Sequence, residues 1–354
     1  MKIRVAIIDD SPLIRQLLKD ILESAPDIEV VALGRNGEDA ITIAADVRPD
    51  VMTLDVEMPR MSGLDALRGI MAKTPMPVLM VSTLTHRGAS TALECLDIGA
   101  YDVIGKPMNG SFTAIRQIQD DLLAKVRMAK EAKIASVRKP LLGSATPAPA
   151  KPTALPSTLV KSDRIVVIAS STGGPKALGT LWANLPQAFP APIVIVQHMP
   201  AGFTESLAAR LDRIGTVPCR EAVMGDSLQP GQALVAPGGF HLRMIRNGQI
   251  KLDEEPSVHG VRPAADYLFE SAAEHFGRKV IGVILTGMGR DGAEGAVKIK
   301  AAGGTVFTEH ESTCTIYGMP RAAVQAGASD MQVPIQDMAM AITAALAGRK
   351  THAA

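Results

Sequence analysis

Short apolar runs alternate with amphipathic helical stretches in two blocks of this chain, and that alternation constrains the fold more than any single motif. In the first block the runs are Arg4–Ile8, Glu29–Leu33, Val51–Leu54, Val78–Val81 and Tyr101–Ile104. Between them lie stretches such as Leu13–Leu22, with apolar residues at Leu13, Ile14, Leu17, Leu18, Ile21 and Leu22, the three- and four-residue spacing of one helix face. Strands that alternate with helices pair in parallel, and the helices cover both faces of the sheet. The second block repeats the pattern, with runs at Ile165–Ala169, Pro192–Val196, Ala233–Ala236, Val280–Leu285 and Thr305–Thr308 and helical patterns at Pro263–His275 and Gly292–Ala302. The expected class is α/β: a five-stranded parallel sheet first, then a doubly wound α/β domain.

Between the blocks, Arg138–Asp163 carries Pro140, Pro147, Pro149, Pro152 and Pro156 among Ala, Ser, Thr and Lys, with no periodicity. This composition reads as a linker. The domains are therefore expected at 1–125 and 163–349, with the linker at 126–162. A chain of 354 residues has room for two cores.

The formal net charge is +1, which provides no overall field for nucleic acid or an anionic membrane, and 3% aromatic residues are too few for a base-stacking platform. Cys95, Cys219 and Cys314 are odd in number and far apart, which argues against a disulfide framework or a zinc site. The apolar stretch Val5-Ala6-Ile7-Ile8 is too short for a signal peptide and ends in acids, and no apolar run is long enough to cross a membrane. The expectation is a cytoplasmic protein without membrane insertion.

In open parallel sheets, ligands bind beyond the carboxyl ends of the strands. Four strand ends in the first block are polar: Asp9-Asp10, Asp55, Ser82-Thr83 and Lys106-Pro107. Gathered at one edge, three carboxylates repel and call for a cation, and an all-oxygen set with room for water suits Mg²⁺. On that reading Asp9, Asp10 and Asp55 hold the metal, and Asp55, alone on the central strand, accepts a phosphoryl group. Ser82 and Lys106 then contact the phosphoryl oxygens. Asp10 read alone is an ordinary helix-start acid; the constellation carries the argument.

The stretches Ile8-Asp9-Asp10-Ser11, Leu54-Asp55-Val56-Glu57-Met58-Pro59, Met80-Val81-Ser82 and Gly105-Lys106-Pro107 resemble response-regulator receiver domains, which are flavodoxin-like. The resemblance covers about the first 125 residues. It implies phosphorylation by a partner histidine kinase and a cis bond before Pro107. Val103 stands where many receivers carry an aromatic residue.

In the second block, Ile165–Ala169 runs into Ser170-Ser171-Thr172-Gly173-Gly174-Pro175. A serine at a strand-to-helix turn serves equally as a helix cap, a phosphate ligand or a nucleophile. Pro192–Val196 leads to Gln197-His198, and Val280–Leu285 leads to the loop Thr286-Gly287-Met288-Gly289-Arg290-Asp291-Gly292. Singly, His198 reads as a buried histidine and Asp291 as a cap. Together the three strand ends present a hydroxyl, an imidazole and a carboxylate, the set required by nucleophilic acyl transfer.

The segments Ala169-Ser170-Ser171-Thr172-Gly173-Gly174, Gln197-His198-Met199-Pro200, Ala236-Pro237-Gly238-Gly239, Leu285–Ala293 and Tyr317-Gly318-Met319-Pro320-Arg321 resemble the catalytic domain of the chemotaxis protein-glutamate methylesterases. With the receiver and linker, the resemblance spans nearly the whole chain. It implies a phosphorylation-activated hydrolase acting on glutamate γ-methyl esters, and on certain glutamines, in the cytoplasmic helices of a chemoreceptor. Ser171 becomes the nucleophile, His198 its base and Asp291 the orienting carboxylate, with Met288 and Thr172 supporting the oxyanion and no metal in this domain. An unphosphorylated receiver that covers the catalytic cleft is the expected form of control. Arg262 and Tyr317 are lesser candidates for substrate contact and His241 for lining the cleft, with a structural role the favoured reading of each. His259, His275 and His310 stand in no distinctive context. The absence of G-x-x-x-x-G-K-[ST] and G-x-G-x-x-G argues against a nucleotide-binding adapter, and the length and weak basicity of the second block argue against a DNA-binding module.

Overall fold

The computed structural model describes residues 2–83, 86–106, 112–131 and 163–348. They fall into two compact units, one on each side of segment 132–162. The linker beyond residue 131 and the Lys106–Pro107 bond lie outside the described residues.

The first unit runs β1 (Ile3–Ile8), α1 (Pro12–Glu23), β2 (Ile28–Gly34), α2 (Gly37–Asp46), β3 (Val51–Asp55), α3 (Gly63–Lys73), β4 (Val78–Ser82), α4 (His86–Ile98), β5 (Asp102–Gly105) and α5 (Phe112–Glu131). Its sheet has the order β2-β1-β3-β4-β5 with every pair parallel, the flavodoxin-like arrangement. Strands β3 and β4 are buried along their whole length, as a sheet covered on both faces requires. Ser11 caps α1 by accepting from the Ile14 N–H, with Pro12 in the first turn, so β1 passes into its helix immediately after Asp9-Asp10.

Helix α5 continues through residues 126–131, which the sequence reading assigns to the linker. Leu122, Val126 and Ala129 keep a buried stripe going at helical spacing, and Arg127 forks onto Asp27 at 2.8 and 2.9 Å. Packing therefore carries the domain six residues past 125.

The second unit runs β6 (Ile165–Ser170), α6 (Gly174–Ala183), β7 (Ile193–Gln197), α7 (Phe203–Ile214), β8 (Cys219–Glu221), β9 (Ala233–Val235), β10 (His241–Met244), β11 (Ile250–Asp253), α8 (Ala265–Phe276), β12 (Val280–Ile284), α9 (Ala293–Ala301), β13 (Thr305–Glu309), α10 (Met319–Gln325), β14 (Met331–Val333) and α11 (Ile335–Leu346). Seven parallel strands follow the order β14-β13-β12-β6-β7-β9-β8, and β10 and β11 form a separate antiparallel hairpin. Chain order reverses at β6, which lies between β12 and β7. The switch point of this doubly wound sheet therefore sits where Ser171 leaves the strand.

The core joins β6, β7 and β12 to α8 through Val167, Ala169, Val194, Val196, Leu268, Phe269, Ala272 and Ile284. On α6, Trp182 is fully buried and donates its indole N–H to the Val217 carbonyl at 3.1 Å. No helix among the described residues is long and apolar enough to cross a membrane.

Candidate functional site

At the carboxyl edge of the first sheet, the switch point lies between β1 and β3. Asp9 follows β1 and Asp55 ends β3, and both are buried. Lys106 Nζ lies 2.9 Å from Asp9 Oδ2 and 2.8 Å from Asp55 Oδ2. The other oxygen of each acid accepts a backbone N–H, Ser11 onto Asp9 at 2.9 Å and Glu57 onto Asp55 at 3.3 Å. Burial pushes Asp55 up to about 6, a rise that the Lys106 ammonium opposes and the Asp9 charge assists. Burial also works against the Lys106 charge, but its contacts with Asp55 and Asp9 hold its pKa above the usual value.

Carboxylate oxygens of Asp9, Asp10 and Asp55 lie within 4.8 Å of one another. Asp9 Oδ2 and Asp55 Oδ2 are buried with no donor beyond that one ammonium. Three acids against one lysine leave an excess of negative charge, and this donor set fits a hard divalent cation. Ser82, buried at the end of β4, directs its hydroxyl to the Thr83 carbonyl, while its own carbonyl accepts the Lys106 N–H at 2.7 Å and fixes where Lys106 leaves β5.

In the second unit, Ser170 and Gln197 are register partners on adjacent strands, so Ser171 and His198 leave the sheet side by side. The His198 N–H donates to the Ser170 carbonyl at 3.0 Å. Ser170 is buried and gives its hydroxyl to Gln197 Oε1 at 2.7 Å. Gln197 Nε2 donates to the carbonyls of Ser171 at 2.9 Å and His198 at 3.2 Å. This buried amide therefore clamps both exit points. Ser171 is partly exposed, and its hydroxyl makes no hydrogen bond among the described residues.

His198 Nε2 meets Asp291 Oδ2 at 2.7 Å, with both side chains largely buried. Asp291 also accepts the Ala265 N–H at 2.5 Å and the Asp266 N–H at 3.0 Å, the first amides of α8, and its own neighbour Gly292 at 3.0 Å. It thus caps α8 from another element. Burial works to raise the Asp291 pKa, but the His198 hydrogen bond and charge, with the helix amides, hold it below the ordinary carboxylate value. An ionised Asp291 selects the tautomer with the proton on Nε2, which leaves Nδ1 as the lone-pair nitrogen of His198.

The loop after β12 closes the site. The Thr286 carbonyl accepts the Ser171 N–H at 3.0 Å, and the Thr286 hydroxyl reaches the Thr172 carbonyl at 3.0 Å. A Cβ on Gly287 would stand 2.8 Å from Ser171 Cβ and 2.4 Å from Met319 Sδ, so only glycine fits this approach. The Met288 N–H has no partner among the described residues and is a free donor beside the serine loop. Beneath the loop, Glu309 at the end of β13 accepts the Thr286 N–H at 2.8 Å and the Thr313 hydroxyl at 3.0 Å. Burial raises Glu309 to about 7 against those two hydrogen bonds.

The lesser candidates each have partners of their own, and Tyr317 pairs with Gly287 through an isolated bridge. His241 is fully buried, with Nε2 on the Pro256 carbonyl at 3.1 Å and Nδ1 accepting the Ala264 N–H at 3.1 Å, so both ring nitrogens serve the backbone. Tyr317 hydrogen-bonds Gln332 at 2.7 Å, and Arg262 binds the carbonyls of Glu254 and Glu255 at 2.7 and 3.0 Å. His259, without distinctive context in the sequence, lies 3.4 Å from Asp266 in the layer behind Asp291. Sequence reasoning also missed Gln197 as a clamp and Glu309 as a brace. The only available signal was Gln197 standing beside His198 at a strand end.

The profile of the CheB methylesterase family matches residues 166–342, and that of the response regulator receiver domain matches residues 5–116. A protein-glutamate methylesterase/protein-glutamine glutaminase of Pyrococcus abyssi is 44% identical over 340 residues, spanning 95% of this chain and 91% of its own length. One from Thermotoga maritima is 44% identical over 338 residues, 94% of this chain and 95% of its own. Among solved structures, the Thermotoga maritima CheB methylesterase catalytic domain is 47% identical, covering 51% of this chain and 96% of that one at a TM-score of 0.49. The response regulator domain of Thermotoga maritima CheB is 43% identical, covering 38% and 99% at a TM-score of 0.35. With a relative of that identity along nearly its whole length and a receiver ahead of the hydrolytic unit, the chain belongs to the CheB methylesterase family.

Proposed function

We propose that the second unit hydrolyses γ-methyl esters of glutamate, and deamidates glutamine, on the cytoplasmic helices of a chemoreceptor, and that phosphorylation of Asp55 by a histidine kinase activates it. Ser171 Oγ attacks the ester carbonyl while His198 Nδ1 takes its proton. Asp291 holds the Nε2–H and stabilises the imidazolium. The oxyanion forms against the Met288 N–H with support from the Thr172 side of the loop. The proton passes from His198 to the departing methoxide, and methanol leaves. Water, deprotonated by His198, then cleaves the acyl-enzyme and restores Ser171. A glutamine side chain follows the same course with ammonia leaving.

The observation that supports this reading most directly is the 2.7 Å contact of His198 Nε2 with Asp291, one residue beyond a strand pair that places Ser171 beside His198. In the first unit, Asp9, Asp10 and Asp55 are the residues that would hold Mg²⁺, whose charge neutralises an incoming phosphoryl group. Lys106 is the lysine that would meet a phosphoryl oxygen. The protein is expected in the cytoplasm, where receptor helices and kinase are accessible.

The test is methanol release from methylated receptor membranes by the full chain, with and without a small-molecule phosphodonor and Mg²⁺. Release that rises with the phosphodonor in the wild type, stays at the basal rate in Asp55→Asn and vanishes in Ser171→Ala is expected. Equal release by wild type and Ser171→Ala would overturn the hydrolytic assignment.

A further inference from the structure

Behind the carboxylate that orients His198 lies a second acid that the reaction as described leaves unused. Asp266, in the first turn of α8, is buried, and its backbone N–H donates to Asp291 Oδ1 at 3.0 Å. Its side chain accepts the Gly295 N–H at 2.8 Å through Oδ1 and faces His259 Nε2 at 3.4 Å through Oδ2. Side-chain donor atoms of His259, Asp266 and Asp291 lie within 4.8 Å of one another. Asp291 already accepts four N–H bonds on its two oxygens, so this trio is not arranged as a metal site.

Two buried carboxylates this close do not ionise independently. Asp291 has four donors and keeps its charge, whereas Asp266 has one backbone donor and a histidine. His259 reaches Asp266 from a two-residue turn in which it and Gly260 have φ of 54° and 79°, closed by the paired hydrogen bonds of Val258 and Val261. A histidine side chain exposed by 24% connects the buried acid to solvent.

We propose that Asp266 and His259 form a positioning pair behind the catalytic carboxylate, setting through Asp291 the proton affinity of His198 and so the lower pH limit of hydrolysis. The proposal rests on the Ser171–His198–Asp291 reading given above. Burial first, then the charge and side-chain contact of Asp291 and, least, the charge of Glu294, push Asp266 up to about 6 against the Gly295 N–H. Asp266 is thus neutral in acid and ionised at neutral pH. Its charge then adds to that of Asp291 and strengthens the proton affinity of His198.

Several other charged groups on elements packed against α8 have partners of their own. Lys298 pairs with Glu270, Lys300 with Asp330, Lys279 with Asp163 and Arg243 with Asp253 and Glu255. His241 is held by backbone groups, and Arg278 lies in the turn after α8. Strands β6, β7 and β12 carry no charged residue.

The test compares full-length wild type, Asp266→Asn and His259→Asn, with phosphodonor and Mg²⁺ present. The acid limb of kcat/KM for methanol release is followed between about pH 5 and 9, alongside NMR titration of the His198 imidazole. Asp266→Asn keeps the acceptor for Gly295 and removes the charge. It should lower both the imidazole pKa and the acid limb by about one pH unit. His259→Asn preserves the turn, since asparagine tolerates positive φ, and should move both in the same direction by less. If Asp266→Asn does not fold, His259→Asn and the carboxyl ¹³C titration of Asp266 in the wild type decide the matter. A uniform loss of activity at every pH, or an unmoved imidazole titration, would overturn the pairing. Hydrolysis surviving in a parallel Ser171→Ala sample would instead overturn the site reading, with the NMR result still judging the pair.

Discussion

Ser170 Oγ donates to Gln197 Oε1 at 2.7 Å, which commits the first of two adjacent serines to holding β6 against β7. The second, Ser171, has a hydroxyl with no hydrogen bond among the described residues. Ser170→Ala should therefore lower stability by about 1–2 kcal/mol, because the buried Gln197 oxygen loses its donor, while methanol release stays within about tenfold of wild type. Ser171→Ala should fold normally and lose at least about 10³-fold in turnover. A melt and a rate for each variant separate brace from nucleophile.

Asp291→Asn keeps the size of the side chain but replaces an acceptor-only group by one that is half donor. It faces the Ala265, Asp266 and Gly292 N–H groups as well as His198. The imidazole loses its charge partner and its tautomer bias. Turnover is expected to drop by about 10³- to 10⁴-fold with KM little changed, read from steady-state methanol release.

Gly287→Ala tests the close approach of the β12 loop to Ser171. The added methyl would meet Met319 Sδ at 2.4 Å and Ser171 Cβ at 2.8 Å, so both neighbours, or the loop itself, must shift. Displacing Met319 is expected to cost about 1–3 kcal/mol, and displacing Ser171 to lower turnover by about 10²-fold. Thermal stability and rate together show which gives way more.

Glu309 links stability to pH. Its carboxyl rises from 4.5 to about 7 on folding, so between those values the folded chain retains a proton that the unfolded chain has released. Stability from this group is therefore greatest below about pH 4.5, where both states hold the proton, and is lost as pH rises through about 7. The lost contribution is on the order of 3 kcal/mol. Glu309→Gln, neutral throughout, should flatten the difference in urea stability between pH 5 and pH 8 measured by circular dichroism.

The strands flanking both switch points were legible in the sequence because they are buried on both faces and read as unbroken apolar runs. Val51–Leu54 and Ile165–Ala169 are examples. Strands β8, β11 and β14 each bury one residue in three or four, so they carry no such signature and pass for loop. The placement of His198 near Asp291 followed from topology, since side chains leaving neighbouring parallel strands at one end must gather there. The layer behind them did not follow. Asp266 in a first helical turn looks like an ordinary helix-start acid. His259 before a glycine looks like a surface turn, and only the fold brings it to that acid. The same holds for Glu309, whose burial and Thr286 partner depend on a loop distant in sequence. His241, weighed in the sequence as a cleft residue but favoured as a structural one, satisfies two backbone groups.

The chain has one tryptophan, Trp182, sealed in the hydrolytic unit with its indole N–H on Val217. Its fluorescence is consequently a built-in optical reporter for one domain of two. Emission that shifts to the red during a denaturant titration registers loss of the hydrolytic half alone, while the receiver melts invisibly at that wavelength. A discrepancy between fluorescence and far-ultraviolet dichroism would then measure directly how independently the two halves come apart.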